Sequence, residues 1–166
     1  MTLLVPFDAS TLATNALAKA ATFGELLEEP VVVLTVLPDD AEYARSRGWI
    51  TEGEPFDREA IERGLRGRAE DVAPNATFRT ERVSSDEPTA TATTEVVREI
   101  RRVAGDVEAS VVFIGSENAG SVIAPQSSIG SPVANDQRYD VYVVRQPDAE
   151  DRPETTGSIR DDGYGL

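Results

Sequence analysis

The sequence predicts an α/β fold: an open, doubly wound parallel five-stranded sheet with helices on both faces, Rossmann-like in class. Three observations lead there. Residues 31–37 and 111–114 are apolar runs without polar alternation, which read as strands buried on both faces, as happens when helices cover a parallel sheet. Between such runs apolar residues recur at spacings of three and four, the period of a helix with one buried stripe. The two patterns alternate along the chain as β-α-β-α-β-α-β-α-β.

Residues 3–7 form the first short apolar run, closed by the turn-forming Asp8 and Ser10. Ser10 or Thr11 can cap the helix that follows, whose stripe is Leu12, Ala16, Ala20, Phe23 and Leu27 and which Glu28-Glu29-Pro30 ends. The second strand, residues 31–37, is rich in β-branched residues and bounded by Pro30 and Pro38. Residues 39–57 are polar, with Gly, Asp and the single Trp49, and predict a loop or a short irregular helix. Ile61, Leu65, Ala69 and Val72 mark the next helix, although Gly64 and Gly67 each weaken it by about 1 kcal/mol relative to Ala. Residues 77–83 alternate and predict an edge or half-buried strand. Val96, Val97, Ile100, Val103 and Val107 give a further helix, entered through a Thr-rich stretch. Residues 111–114 empty into Gly115-Ser116, and the stretch 122–135, interrupted by Pro125 and Pro132, predicts a short or broken helix. Val141, Tyr142, Val143 and Val144 make the last strand. Residues 1–146 are thus one α/β domain, and 147–166 an acidic tail without apolar clusters, expected to be flexible.

Composition narrows the chemistry. With no Cys and no His among 166 residues, the chain can supply no thiolate nucleophile, disulfide, Cys/His zinc site, imidazole base or Ser-His-Asp triad. Its formal net charge is −14, and Lys19 is the single lysine among 16 basic residues. That balance disfavours nucleic acid and anionic membranes, which select basic surfaces. It suits a solvated surface adapted to high salt, where the Debye length falls to about 3 Å and self-repulsion is screened. Met1-Thr2 runs directly into Leu3-Leu4-Val5 without a basic leader, and no apolar stretch approaches the ~18 residues of a membrane span, so a cytoplasmic protein is expected.

In a doubly wound sheet, ligands bind beyond the carboxyl ends of the strands. The residues expected there are Asp8 and Ser10, the stretch 36–40, and 115–131 with its glycines. Several have structural alternatives: Asp8 as a turn residue, Ser10 as a helix cap, Asp39-Asp40 as a solvated turn, and the glycines as ordinary turn and cap positions. Tyr43 and Trp49 either cover the site or simply pack.

Taken together, Pro6-Phe7-Asp8-Ala9-Ser10, the helix with Ala16-Leu17 and Ala20, the buried second strand, and Gly115-Ser116 followed by Gly120, nine residues and Gly130-Ser131 resemble the universal stress protein (UspA) family. The acidic composition suggests a haloarchaeal type. The resemblance implies a sheet of the adenine nucleotide alpha hydrolase-like kind, an adenine nucleotide such as ATP or AMP with Mg²⁺, and a homodimer paired through the last strand, Val141 to Val144. By motif, Asp8 would sit near the adenine and Val36 would border it with its backbone, Gly115 and Gly120 would lie under the ribose and phosphates, and Gly130 and Ser131 would offer them an amide and a hydroxyl; Pro6, Ser10 and Ser116 are expected in the same site. One departure stands out. Where the family's nucleotide binders have Gly-x-x-Gly-x9-Gly-Ser/Thr, counting back from Gly130 and Gly120 finds Glu117, and counting from Gly115 finds Asn118. Two like charges about 4 Å apart near a surface repel by a few kcal/mol at low salt. Glu117 therefore predicts a degenerate phosphate loop, which leaves open that no nucleotide binds, unless a divalent cation bridges the two charges.

The expected function is a non-catalytic stress-response or regulatory module. Two alternatives are a weak Mg²⁺-dependent ATP hydrolase using Asp8 or Glu117, and a receiver-like signalling domain. The hydrolase lacks a phosphate-binding Lys and a general base. The receiver type wants an acidic pair after the first strand and a Lys after the last, where this chain has one acid, Asp8, and Arg145.

Overall fold

The structure, a computed structural model, describes residues 1–84, 91–115 and 138–145. Their order is β1 (Thr2–Pro6), α1 (Thr11–Leu27), β2 (Val31–Pro38), α2 (Ala41–Ser46), α3 (Arg58–Val72), β3 (Thr77–Val83), α4 (Ala92–Asp106), β4 (Ala109–Gly115) and β5 (Asp140–Val144). The expected helix in 122–135, the glycine-rich stretch from Ser116 and the tail 147–166 lie outside the described residues.

All five strands are parallel, in the order β3-β2-β1-β4-β5. The order follows from hydrophobicity. β1, β2 and β4 carry the continuous apolar runs and take the three inner positions, where Leu4, Val5, Val33, Leu34 and Val112 are at most 1% exposed. β3 alternates and lies at one edge, as its pattern predicts, and β5 forms the other.

Helices cover both faces. α1 and α3 bury Leu12, Ala16, Leu17, Ala20 and Ala69 against Leu3, Val5, Val31, Val33 and Phe113. α4 buries Ile100, Val103 and Ala104 against Leu4, Leu34, Val112 and Ile114 on the opposite face. The last part of the α1 stripe departs from the burial its spacing predicts. Phe23 is 38% and Leu27 59% exposed; Phe23 packs toward the β5 edge, against the rings of Phe113 and Tyr142, with centroids 5.7 and 5.8 Å away.

A ring of charges ties α4 to the edge strand. Arg79 pairs with Glu81 at 2.6 Å and Asp106 at 3.3 Å, and Arg102 pairs with Glu81 at 3.3 Å and Asp106 at 2.6 Å. Charged arms on an edge strand also discourage pairing with another chain there. Among the described residues no helix is long and apolar enough to cross a membrane.

Candidate functional site

β1 delivers Pro6, Phe7 and Asp8 to the carboxyl end of the sheet. The Phe7 N–H donates to the Leu34 carbonyl at 2.8 Å, and the buried Thr35 hydroxyl donates to the Phe7 carbonyl at 3.0 Å, so the chain leaves β1 fastened to β2. Ala9 then takes φ 62°, the left-handed region that costs a non-glycine residue roughly 1–2 kcal/mol. The turn brings Ser10 to the N-cap of α1, where its hydroxyl accepts from the Ala13 N–H at 3.2 Å while its own N–H donates to Asp8 Oδ1 at 3.0 Å. Ser10 thus caps the helix and holds the Asp8 carboxylate in place.

β1 is flanked by β2 on one side and β4 on the other, so the chain order reverses between β1 and β4. A cleft opens near this switch point, as expected for a doubly wound sheet. Pro6, Phe7 and Asp8 line it with Leu34 and Val36 from β2, Ile114 from β4, and Thr93, Val96, Val97 and Ile100 from α4. Its cavity volume is about 50 Å³ behind an open mouth. The walls are mostly apolar, which is the usual character of a small-molecule site.

The remaining wall comes from the polar segment after β2. Asp40 caps α2 by accepting from the Tyr43 N–H at 3.0 Å, and its neighbour Asp39 pairs with Arg58 at 2.9 Å. The acidic pair therefore serves as a cap and a surface ion pair. Gly48, at φ 71°, reverses the chain after α2 so that Trp49 returns toward β1. The Trp49 indole N–H donates to the Asp8 carbonyl at 2.8 Å, and Arg47 Nη1 donates to Asp8 Oδ2 at 2.8 Å. The Arg47 guanidinium lies over the Tyr43 ring, 5.0 Å from its centroid, and Tyr43 meets Trp49 edge-on at 5.6 Å. Burial raises the Tyr43 phenol above its ordinary pKa, and the Arg47 charge only partly opposes that. Tyr43 and Trp49 thus line the cleft as well as packing.

Of the sequence-predicted residues, Pro6, Asp8 and Val36 come together in the cleft, and Ser10 stands one turn away as the cap. Gly115 ends β4 beneath α1, where a Cβ would come 2.8 Å from the Leu12 Cβ. Ser116, Gly120, Gly130 and Ser131 lie outside the described residues. Sequence reasoning missed Arg47. It stands 39 positions from Asp8, and neither composition nor periodicity links the two; the adjacent Gly48-Trp49 was the only local sign of a turn.

Comparison with known proteins agrees with this fold. No curated protein matches the chain. Among solved structures, a universal stress protein in complex with cAMP is 19% identical, with a TM-score of 0.53 over 87% of this chain and 97% of that one. A universal stress family protein from Burkholderia pseudomallei is 16% identical, with a TM-score of 0.52 over 87% and 96%. The universal stress protein from Archaeoglobus fulgidus in complex with dAMP is 18% identical, with a TM-score of 0.50 over 87% and 98%. At such identities the likeness establishes the fold alone. The model of the Universal stress protein family, however, matches residues 1–145, nearly the whole of the chain outside its acidic tail, and with that match the chain belongs to the universal stress protein family.

Proposed function

We propose that this protein is a non-catalytic stress-response module that binds an adenine nucleotide, AMP or ATP, in the cleft beyond β1, β2 and β4. The observation that carries this reading is the Asp8 carboxylate, paired with Arg47, at the end of a mostly apolar and aromatic cleft at the switch point. A carboxylate accepts from an exocyclic amino group, and Val36, Val97 and Ile100 offer apolar surface to a planar ring. The cAMP and dAMP complexes of two structural neighbours support the choice of an adenine ligand. The phosphates would extend toward the stretch from Ser116 to Ser131, with Mg²⁺ carried on them. Within that stretch Glu117 would oppose them, as a degenerate loop of a salt-adapted, haloarchaeal-type family member.

The test is calorimetric titration of AMP and of ATP, with and without Mg²⁺, in high-salt buffer, on wild type, Asp8→Ala and Glu117→Gly. Micromolar binding to wild type, weakened tenfold or more by Asp8→Ala and tightened by Glu117→Gly, is expected. Absence of binding by wild type and Glu117→Gly alike would remove the nucleotide reading. In the same proposal the protein works as a homodimer through Val141 to Val144, since β5 is a sheet edge among the described residues and carries apolar side chains at Val141, Val143 and Val144. Light scattering that gives a strict monomer in high salt would remove that part.

A further inference from the structure

The base end of the cleft already has an occupant from the chain itself. Both oxygens of the Asp8 carboxylate are engaged, Oδ1 by the Ser10 N–H at 3.0 Å and Oδ2 by Arg47 at 2.8 Å. The Asp8 side chain is 12% exposed and that of Arg47 27%, so the pair is partly shielded from solvent. The two donors differ in kind. Ser10 is fixed by its place in the α1 cap, and its bond to Asp8 is part of the turn. Arg47 is the first residue after α2, and its long side chain meets the Tyr43 ring and Asp8 among its partners. The backbone beneath it is anchored separately, because Ala44 and Ile50 are buried against Leu37, Ile61 and Leu65. Displacement of the guanidinium from Asp8 Oδ2 therefore leaves in place the anchors of the arm that carries Tyr43 and Trp49.

We propose that Arg47 is a built-in competitor of the ligand: its guanidinium donates to Asp8 Oδ2, the same oxygen to which an adenine amino group would donate, and the two compete for it. The inference rests on the nucleotide reading above and adds a residue that tunes affinity. A guanidinium–carboxylate bond with its partners one-eighth to one-quarter exposed lies between a surface ion pair and a buried charged hydrogen bond, so its displacement weakens binding by about 3- to 30-fold. Because the competition is ionic and partly solvated, salt screens it.

Adenosine is the suitable probe, because it is uncharged and its affinity does not include attraction between Arg47 and phosphate. Arg47→Met keeps an unbranched apolar stem over Tyr43 and removes the guanidinium with its charge and donors. Calorimetry on the full chain should find adenosine binding Arg47→Met about 3- to 30-fold more tightly than wild type in 0.1 M KCl. The ratio should fall toward one at 2 M KCl, a trend that a purely steric effect of the longer guanidinium does not produce. Quenching or shift of the single tryptophan, Trp49, on titration reports that binding occurs in this cleft. Equal or weaker binding by Arg47→Met, or a ratio that ignores salt, overturns the competition and leaves the nucleotide reading standing. Binding of neither adenosine nor AMP to either protein overturns both.

Discussion

Gly115→Ala is expected to destabilise the protein by about 2–3 kcal/mol, near the top of the range for overpacking a core. A Cβ built at Gly115 would lie 2.8 Å from the Leu12 Cβ, 3.1 Å from the Leu12 carbonyl carbon and 3.3 Å from the Ala13 nitrogen. Carbon atoms prefer about 3.5–4.0 Å, so close to 1 Å must be made up. None of the three obstructing atoms is the end of a mobile side chain. All belong to the first turn of α1, which Ser10 caps and which Leu12 and Ala13 anchor in the core. The helix must therefore shift as a body from β4, and the Asp8 turn shifts with it.

Thermal or urea unfolding in fixed high salt measures the effect, and for a chain of this size each kcal/mol is about 2–4 °C in Tm. Leu12→Ala supplies the internal control. It shortens the side chain yet leaves the Cβ in place, so it does not rescue Gly115→Ala, and the double variant is at least as unstable as Gly115→Ala alone. A Gly115→Ala protein within about 0.5 kcal/mol of wild type, the range of an innocuous surface change, or one rescued by Leu12→Ala, would refute the packing argument.

Three further predictions rest on separate features. Ala9→Gly and Glu28→Gly, at φ 62° and 55°, relieve left-handed strain that exceeds the entropy gained by the unfolded chain, so each raises stability by about 0.5–1 kcal/mol in chemical denaturation. Arg102→Met opens the ion-pair ring joining α4 to β3; the loss is roughly 1 kcal/mol at low salt and disappears in molar KCl, read from paired melts, whereas a salt-independent loss would mean packing instead. Tyr43, whose phenol pKa is raised by burial, ionises more readily in the unfolded chain than in the fold. Its contribution is therefore complete below pH ~10, the unfolded value, and is lost as pH rises through the higher folded value. Tyr43→Phe should flatten the alkaline limb of the stability curve above pH ~10, and an unchanged limb would disprove the link.

Much of the fold was legible because hydrophobic patterning is local. Residues 31–37 read as a strand buried on both faces, and that strand lies inside the sheet; residues 77–83 alternate, and they form an edge. Ser10 and Asp40, readable as cap and turn residues, cap α1 and α2 because their short side chains reach back to their own backbone. Phe23 and Leu27 match the helical stripe but stay partly exposed, since periodicity identifies a face and cannot tell how completely the neighbouring elements cover it.

The cleft divides along the same line. Asp8 just after β1 and Val36 near the end of β2 are written into the sequence, and with a parallel doubly wound sheet they are bound to converge at its carboxyl edge. Arg47 is of another kind. Only the return of the chain through Gly48 brings its guanidinium to Asp8, and a contact between positions 39 apart leaves no periodic or compositional trace. The sequence by itself determined the sheet, its charge and the carboxylate at the cleft. Tertiary structure alone decided what that carboxylate faces, because an ion pair forms between side chains that meet in space whatever their separation along the chain.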